Sequence, residues 1–494
     1  MAQAKTTVKY RRGRRLLFRF GAIAFGLGVL LVVEASLRIL GVGESPTDPM
    51  VGFSEIRPLF VKNGAGDQYE IPESRRTFFQ KDSFATKKGD AEFRIFCLGG
   101  STVQGRPYSI ETSFTTWLEL SLQAVDASRD WQVVNCGGVS YASYRLVPIL
   151  KEVLRHEPDL ILVYTGHNEF LEGRSYAHLK QRPLWMRRTH DTVSQLRLYG
   201  LMRSLLDDDA PKKINLPAEV DALLDYKGGL AKYHRDESWR QGVIEEFELN
   251  LRTMVELAEA AGTELILLNP VSNLRDTPPF KVEPPSKLSD EERRALEQSW
   301  QAAKEAPWDQ LDAKLSAVEA VLEMDSGHAE AHFLSAKVHE ERGAFDAAKT
   351  AYLESKDADV CPLRMLESMH ERLFQVAAQT QTDFVDVRAM FEAEAERGIP
   401  GETQLIDHVH PRIEWHQRIA DLLLQRLVEM EITDHSTGWE DRRNRLYASN
   451  FESLPENYFP ESVARLRGLQ LWTQGRVERL KLSDTTSSAT NDQR

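Results

Sequence analysis

Five short apolar runs are spread along the chain, and each leads into polar or glycine residues. A run of five or six mostly apolar residues that ends at a turn signal is typical of a strand buried on both faces of a parallel sheet. The chain between successive runs is long enough for the crossovers that parallel strands need. The sequence therefore predicts an α/β fold with a five-stranded parallel sheet. The runs are FRIFCL (93–98), WQVVN (131–135), DLILVY (159–164), TELILL (263–268) and DFVDV (383–387).

Amphipathic helices are predicted between and after these runs. Helical spacing over residues 112–125 and 145–156 supplies crossovers between the first three strands. The segment 242–262 is amphipathic and ends at Gly262, a natural helix stop before the fourth strand. A further helix is predicted over 413–431.

Residues able to do chemistry follow four of the five runs. Ligands of open α/β sheets bind at the carboxyl ends of the strands, so these clusters are predicted to meet on one rim. Nucleophilic acyl transfer needs such a set: a nucleophile, a base, a group that orients the base, and donors for an oxyanion. The clusters are Gly99-Gly100-Ser101-Thr102, Cys136-Gly137-Gly138-Val139-Ser140, Thr165-Gly166-His167-Asn168-Glu169 and Asp407-His408-Val409-His410-Pro411.

Charge is distributed unevenly along the 494 residues, a length that allows two or three domains. The net charge is −13, yet seven basic residues stand near the start of the chain. Without them the chain has 55 basic and 75 acidic residues, a balance of −20 that would repel phosphates. A nucleic-acid partner is therefore not expected. The seven are Lys5, Lys9, Arg11, Arg12, Arg14, Arg15 and Arg19.

An apolar segment follows these basic residues. Residues 20–33 carry no charge, and the stretch from Leu16 to Leu40 can cross a bilayer if the few charges near its ends snorkel. No clear small-residue cleavage site follows it. We predict an uncleaved signal anchor over 16–41 in the inner (cell) membrane, with a basic tail over 1–15 in the cytoplasm and the rest on the extracytoplasmic side. A cleaved signal peptide and a buried soluble helix are the alternatives.

The remaining chain divides by composition. Residues 42–91 are a polar juxtamembrane stretch, and 92–275 with 381–431 hold the α/β pattern. Residues 276–380 read as a helical insertion between the fourth and fifth strands. Residues 432–494 form an extension that is expected to be disordered from about 483, where apolar residues are missing.

A 34-residue register inside the helical insertion resembles a tetratricopeptide repeat. It covers one repeat well and half of another poorly, whereas stacked repeats need about three to be stable. The unit must therefore dock on the α/β core, on a helix over 289–304, or on a protein partner. A plain helical hairpin is the alternative. The positions that match are Ala336, Gly343, Phe345, Ala348, Tyr352 and Ser355.

The four polar clusters, in their order and strand context, resemble the conserved blocks of the SGNH/GDSL hydrolase superfamily. The resemblance covers roughly 92–170, 263–270 and 383–430, and it implies a flavodoxin-like five-stranded sheet with a Ser-Asp-His triad. On this basis Ser101 is the nucleophile, His410 the base and Asp407 its orienter. Asn168 and the backbone N–H of Ser140 would form the oxyanion hole, with Gly138 as the second choice for the backbone donor.

This chain departs from the family pattern at three positions. Gly100 stands where the family more often has aspartate, Glu169 replaces a usual aspartate, and Ser140 replaces the oxyanion glycine. A hole built on Ser140 requires that this residue adopt the backbone angles that glycine would supply. Otherwise the hole loses one donor.

Other kinds of site fit the sequence less well. His408 and His410 could form a metal pair, but no third or fourth ligand is suggested nearby, so no metal or other cofactor is expected. An α/β-hydrolase nucleophile elbow needs Gly-x-Ser-x-Gly, and Val103 occupies its last position. The three cysteines, Cys97, Cys136 and Cys361, are too few for a disulfide framework and are predicted to be small buried residues.

The sequence thus predicts a membrane-anchored serine esterase or O-acyltransferase of the SGNH type. The family resemblance suggests O-acetylated envelope glycans as the ester-bearing substrate. The alternative is a catalytically weak SGNH-like scaffold that recruits envelope proteins through the helical insertion.

Overall fold

In the computed structural model, the residues described are 21, 25–26, 28–37, 52–53, 55–174 and 215–474. The chain forms two compact units, one of Met1–Ser54 with Arg174–Leu216 and the other of Glu55–Gly173 with Pro217–Arg494. In the first unit, the short strands Gly52–Phe53 and Asn215–Leu216 pair in parallel. The second unit contains all the predicted site residues.

Half of the predicted anchor over 16–41 and the whole basic tail lie outside the described residues. The part of the anchor that is described, chiefly residues 28–37, is helical. Within the described ranges, none of the helices has both the length and the apolar character that crossing a membrane requires.

The central sheet has five parallel strands in the order β2-β1-β3-β4-β5, the flavodoxin-like order. Each of the five apolar runs forms one strand, which confirms the predicted parallel α/β sheet. Gly99 pairs with Gly137 on one side and with Tyr164 on the other, so β2, β1 and β3 end level at one rim. The strands are β1 Glu92–Gly99, β2 Asp130–Gly137, β3 Leu160–Tyr164, β4 Glu264–Leu268 and β5 Asp383–Val385.

Helices cover both faces of the sheet. The bounds of the first four, in chain order, are α1 Ser101–Gln104, α2 Phe114–Val125, α3 Ser143–Val153 and α4 Glu237–Ala261. The helical insertion contains α5 Asp290–Glu305, α6 Leu311–Met324, α7 Ala329–Glu341 and α8 Phe345–Ala358. The last five are α9 Glu367–Thr380, α10 Val387–Glu394, α11 Ile413–Glu429, α12 Trp439–Glu452 and α13 Tyr458–Thr473.

Two helical layers sandwich the sheet. One layer contains α2 and α11, which contact each other, and the other contains α4 with α3 and α9 against it. The core between α2, α11 and the sheet is built mainly of apolar side chains, and its members include Ile95, Trp117, Leu162, Ile266 and Leu423. Burial of such side chains stabilises each by roughly 1.5–3 kcal/mol, so the rim is attached to a stiff support.

The helical insertion docks on the rest of the second unit. Residues of α7 and α8 pack in one apolar cluster with Leu274, which follows β4, and with Ile399, which precedes the Asp407 loop. The Arg275 guanidinium lies 2.5 Å from the Glu340 carboxylate beside this cluster. A second cluster joins α5, α6 and α7 through residues such as Leu296 and Val318. Two of the three predicted docking modes, on the core and on the helix near 289–304, therefore occur together, while the tetratricopeptide assignment itself stays a prediction.

The pieces before and after the predicted α/β segments also pack on the core. Three short antiparallel strands, Val61–Lys62, Gln68–Glu70 and Ser83–Ala85, precede β1. On the other side, the Tyr458 hydroxyl of α13 lies 2.8 Å from the Thr112 hydroxyl. The extension predicted from 432 is thus helical and docked up to 473, and the expected disorder from 483 lies outside the described residues.

Candidate active site

The predicted nucleophile stands at the end of β1, an inner strand of the sheet. Ser101 directly follows Gly100, which caps the short helix α1, and its side chain is half-buried. A Cβ atom at Gly100 would lie 2.5 Å from the side-chain nitrogen of Asn168. A side chain at this position would therefore displace the Asn168 amide, which approaches the backbone at this point.

Ser101, His410 and Asp407 form a hydrogen-bonded chain. The Ser101 Oγ lies 2.7 Å from His410 Nε2, and His410 Nδ1 lies 2.7 Å from Asp407 Oδ2. The other oxygen of Asp407 accepts the backbone N–H groups of Val409 and His410, each at 2.9 Å. The Asp-x-x-His segment thus forms a turn whose backbone N–H groups hold one carboxylate oxygen while the other contacts the imidazole ring.

The charges around this loop favour an ionised Asp407. Burial alone would raise the pKa of Asp407, but the charge of His410 and the hydrogen bond from its ring hold that pKa well below the usual range. Burial lowers the pKa of His408 to about 4, although Asp407 opposes the shift. His408 packs edge-on against Phe280 at 5.3 Å between ring centroids, so it is a neutral wall residue beside the triad.

Of the two predicted backbone donors, Ser140 has the geometry that the prediction requires. Its φ is +62°, in the left-handed region that favours glycine. Among the residues that the structure describes, its N–H has no hydrogen-bond partner. Gly138 is not available, since its N–H donates to the Gly99 carbonyl at 3.0 Å, and the Gly137 N–H donates to Asn135 Oδ1 at 2.9 Å.

Asn168 lies at the same rim with its amide already oriented. One N–H of the Asn168 side chain donates to the Tyr141 carbonyl at 3.0 Å. An amide has two N–H donors, so the second stays available for an oxyanion. The nitrogen of this amide is also the atom that would lie 2.5 Å from a Cβ atom at Gly100.

Glu169 supports the oxyanion loop, which we define as Gly137–Tyr141. Its buried carboxylate accepts the backbone N–H of Ser143 at 2.8 Å and the Ser143 hydroxyl at 2.7 Å. Ser143 is the first residue of α3, so the carboxylate caps the helix that leaves the loop. The side-chain amide of Asn250, from α4, donates to the same hydroxyl at 3.0 Å.

The other histidines at the rim are structural in this geometry. Burial lowers the pKa of His167 to about 3, and its Nδ1 accepts the Met365 N–H at 3.2 Å. Both ring nitrogens of His410 are engaged by Ser101 and Asp407. In the part of the chain that the structure describes, no group of three or more His, Cys, Asp or Glu side chains is arranged to hold a metal ion.

Sequence reasoning missed three residues that shape the oxyanion loop. The Phe78 carbonyl accepts the Val139 N–H at 2.8 Å, and the Arg75 guanidinium donates to the Tyr141 hydroxyl at 2.9 Å. Tyr141 in turn orients Asn168 through its carbonyl. A contact made by a backbone carbonyl leaves no signal in the sequence, whereas the arginine could have been noticed as a charge beside two phenylalanines.

No family model matches this chain, and no curated protein is similar to it in sequence. Solved structures that resemble it include a GDSL-like lipase from Bacteroides thetaiotaomicron, with 11% identity, a TM-score of 0.31, and coverage of 70% of this chain and 93% of that one. A lipase/acylhydrolase from Enterococcus faecalis has 11% identity, a TM-score of 0.32, and coverage of 70% and 100%.

A catalytic mutant of an acetylxylan esterase from Geobacillus stearothermophilus has 14% identity, a TM-score of 0.30, and coverage of 69% and 95%. The structural neighbours of this chain are thus GDSL-like lipases and acylhydrolases. Similarity at these TM-scores gives no independent information on its chemistry, which has to be inferred from the geometry of the rim.

Proposed function

We propose that this protein is a serine esterase or O-acyltransferase of the SGNH type, with Ser101 as its nucleophile. The observation that carries the proposal is the continuous chain from Ser101 Oγ through His410 to Asp407, with 2.7 Å at both hydrogen bonds. Nucleophile, base and base-orienter within hydrogen-bond reach are the minimum for covalent acyl transfer.

In the first half of the reaction, the Ser101 oxygen attacks the ester carbonyl carbon while its proton passes to His410 Nε2. Asp407, kept ionised by its neighbours, holds Nδ1–H in place and stabilises the imidazolium that forms. The carbonyl oxygen gains negative charge and is stabilised by the Ser140 N–H and the free N–H of Asn168. Collapse of this intermediate releases the alcohol, which takes the proton from His410, and leaves an acyl ester on Ser101.

In the second half, a water molecule or an acceptor hydroxyl attacks the acyl-enzyme carbonyl and gives its proton to His410. Collapse returns that proton to Ser101 as the acyl group leaves on water or on the acceptor. Hydrolysis and transfer differ only in which nucleophile reaches the same carbonyl.

The scaffold alternative was motivated by the three departures from the family pattern, and each of them has a part in the proposed site. Ser140 has the required positive φ, Glu169 caps the helix behind the oxyanion loop, and Gly100 makes room for the Asn168 amide. These observations support turnover rather than a site that has lost its function.

Three further features belong to the proposal. Attachment to the cell membrane through residues 16–41, with the catalytic unit outside the cytoplasm, is supported by the basic residues that precede the apolar segment. An O-acetylated envelope glycan as substrate is supported by family analogy alone. Recruitment of a protein partner would use the exposed side of the helical insertion, in which α7 and α8 pack on the core and α5 and α6 pack on α7.

A fluorophosphonate probe tests the proposal directly. We expect covalent labelling at Ser101, found by mass spectrometry of the digested protein, and hydrolysis of p-nitrophenyl acetate that the probe abolishes. Lack of labelling in a folded protein, or labelling at another serine, would show that the triad does not activate Ser101.

A further inference from the structure

The chain segment that precedes the central sheet contacts the oxyanion loop through Arg75, Phe78 and Phe79. A short 3-10 turn, Glu73–Arg75, is followed by Phe78 and Phe79, and all of these come before β1. This stretch belongs to residues 42–91, for which the polar composition predicts a juxtamembrane segment. In the structure, Arg75 and Phe79 are buried, with 4% and 1% of their surface exposed.

The first connection is made by one carbonyl. The Phe78 oxygen accepts the Val139 N–H of the oxyanion loop at 2.8 Å and the Gln104 side-chain amide at 2.7 Å. Gln104 is the last residue of α1, the helix that begins with Ser101. A single backbone atom of the preceding segment therefore links the nucleophile helix to the oxyanion loop.

The second connection is a buried cluster of side chains around Tyr141. The Arg75 guanidinium donates to the Tyr141 hydroxyl at 2.9 Å and to the Arg57 carbonyl at 2.9 Å, and it lies 3.5 Å from the Glu219 carboxylate. The Tyr141 hydroxyl donates to Glu219 at 3.1 Å. The Phe79 ring packs edge-on against the Tyr141 ring at 4.7 Å, so the ring is held from several sides.

Tyr141 touches both proposed oxyanion donors through its backbone. It directly follows Ser140, so its position limits where the Ser140 N–H can point. Its carbonyl accepts one N–H of Asn168, which aims the other into the site. The ring of Tyr141 is fixed by its neighbours, and its backbone contacts both donors. The position of Tyr141 therefore determines where the two donors lie.

We propose that Arg75 is a positioning residue for the oxyanion hole, acting through the Tyr141 hydroxyl. The inference rests on the proposed function, because it assigns Arg75 to the acyl-transfer site. Loss of Arg75 frees the ring, and the two donors then lose their fixed separation. Since these donors act on charge that exists only in the transition state, kcat is expected to fall while KM stays nearly constant.

The test compares two equally buried arginines. Arg94 has 2% of its surface exposed, pairs with Glu92 and lies 4.8 Å over the Phe84 ring, much as Arg75 lies 5.0 Å over Phe79. Arg94 is near the start of β1, away from the rim. We expect Arg75→Leu and Arg94→Leu to lower the melting temperature alike.

Only Arg75→Leu is expected to lower kcat for p-nitrophenyl acetate, by about tenfold to hundredfold per folded molecule, with KM within about twofold. Partial recovery of kcat in Arg75→Lys, which keeps one donor, would support the assignment. Equal kcat values for the Arg75→Leu and Arg94→Leu variants would overturn it.

A milder pair of variants keeps the proposal testable if the arginine variants fail to fold. Tyr141→Phe removes only the hydroxyl that Arg75 and Glu219 hold, and Tyr447→Phe removes a hydroxyl that bonds Ser121 at 2.8 Å on α2. We expect a several-fold loss of kcat in the first and none in the second. If the wild-type protein is an active esterase and Tyr141→Phe has the same kcat, the inference about Arg75 is wrong. If the wild-type protein has no esterase activity, the proposed function itself is wrong.

Discussion

Two loops build the candidate site in contrasting ways. The Asp407–His410 loop supplies the proposed base, its proposed orienter and the backbone donors that hold the orienter, all within four residues. The oxyanion loop, Gly137–Tyr141, is held instead by groups far away in sequence, among them Phe78, Arg75 and Asn168. The first loop is a local turn, and the second is an assembly of remote parts.

This difference explains what the sequence could and could not predict. Short motifs were enough to predict that Ser101, Asp407 and His410 meet, and a local apolar pattern was enough to predict the five strands. Asn168 was predictable from its place after β3. The support of the oxyanion loop was not, because the carbonyl of Phe78 has the same chemistry as every other backbone carbonyl.

The docking of the pieces at the two ends of the α/β segments was missed for a related reason. Polar composition before residue 92 hides buried residues such as Phe79 and Phe84, which have 1% and 2% of their surface exposed. Such pieces become recognisable only when their partners on β1 and the oxyanion loop are known in space. Sequence patterns of period two or 3.6 detect regular elements, not irregular segments that pack with a few aromatic side chains.

The largest effect is expected in the local loop. Ser101→Ala and Asp407→Asn should each lower kcat by roughly 10⁴-fold or more, because neither the nucleophile nor the correct imidazole tautomer would be available. The double variant should be no worse than the more damaging single one, since triad members act as one unit. Steady-state kinetics and melting curves check this, and additive losses would contradict a shared role.

The next effect belongs to the remote assembly. Asn168→Ala should lower kcat by about 10²–10³-fold, the usual loss for one oxyanion donor, and leave slow fluorophosphonate labelling of Ser101. Asn450→Ala serves as the control. Asn450 lies on the C-terminal extension, and its side-chain amide donates to the Glu111 carbonyl. If Asn168→Ala lowered kcat as much as Ser101→Ala does, the effect of Asn168 would extend beyond the loss of one oxyanion donor.

A side chain at the glycine before the nucleophile should have a smaller effect. Gly100→Ala places a Cβ atom 2.5 Å from the Asn168 amide nitrogen and forces it aside. We expect kcat to fall by about tenfold to hundredfold, less than for complete loss of the donor. If the loss is steric, Gly100→Ala combined with Asn168→Ala should be no slower than Asn168→Ala alone.

Two partly buried aspartates respond to pH in opposite ways. The pKa of Asp407 is held low, so its contribution to stability is lost as pH falls through that low value. Burial raises the pKa of Asp82 to about 7, although the N–H groups of Asn135 and Ser83 oppose the shift. The folded protein therefore keeps a proton on Asp82 that the unfolded chain releases near pH 4, and stability is lost as pH rises from about 4 to 7.

The Asp82→Asn variant should reduce that pH dependence. Each such group contributes a slope of up to about 1.4 kcal/mol per pH unit to the free energy of unfolding. Burial also raises the pKa of Glu119 to about 7, so the slope should decrease but not vanish. Urea unfolding at several pH values measures it, and an unchanged slope would assign the titration to other groups.

The smallest effect is expected at Ser140. Its positive φ suits glycine, so Ser140→Gly should keep kcat and change the free energy of unfolding by no more than about 1 kcal/mol. Ser140→Val, which is β-branched, should lower both because it resists that conformation. Full activity in the valine variant would show that the backbone donor lies elsewhere in the loop.

The hydrogen bond between Ser101 and His410 has a consequence for biosynthesis. The two residues are separated by 309 positions along the chain. At a translation rate of roughly 5–20 residues per second, the ribosome delivers the histidine about 15–60 s after the serine. Throughout that interval the nascent chain carries a serine with no base beside it. The proposed acyl-transfer chemistry therefore becomes available only after residue 410 has been synthesised.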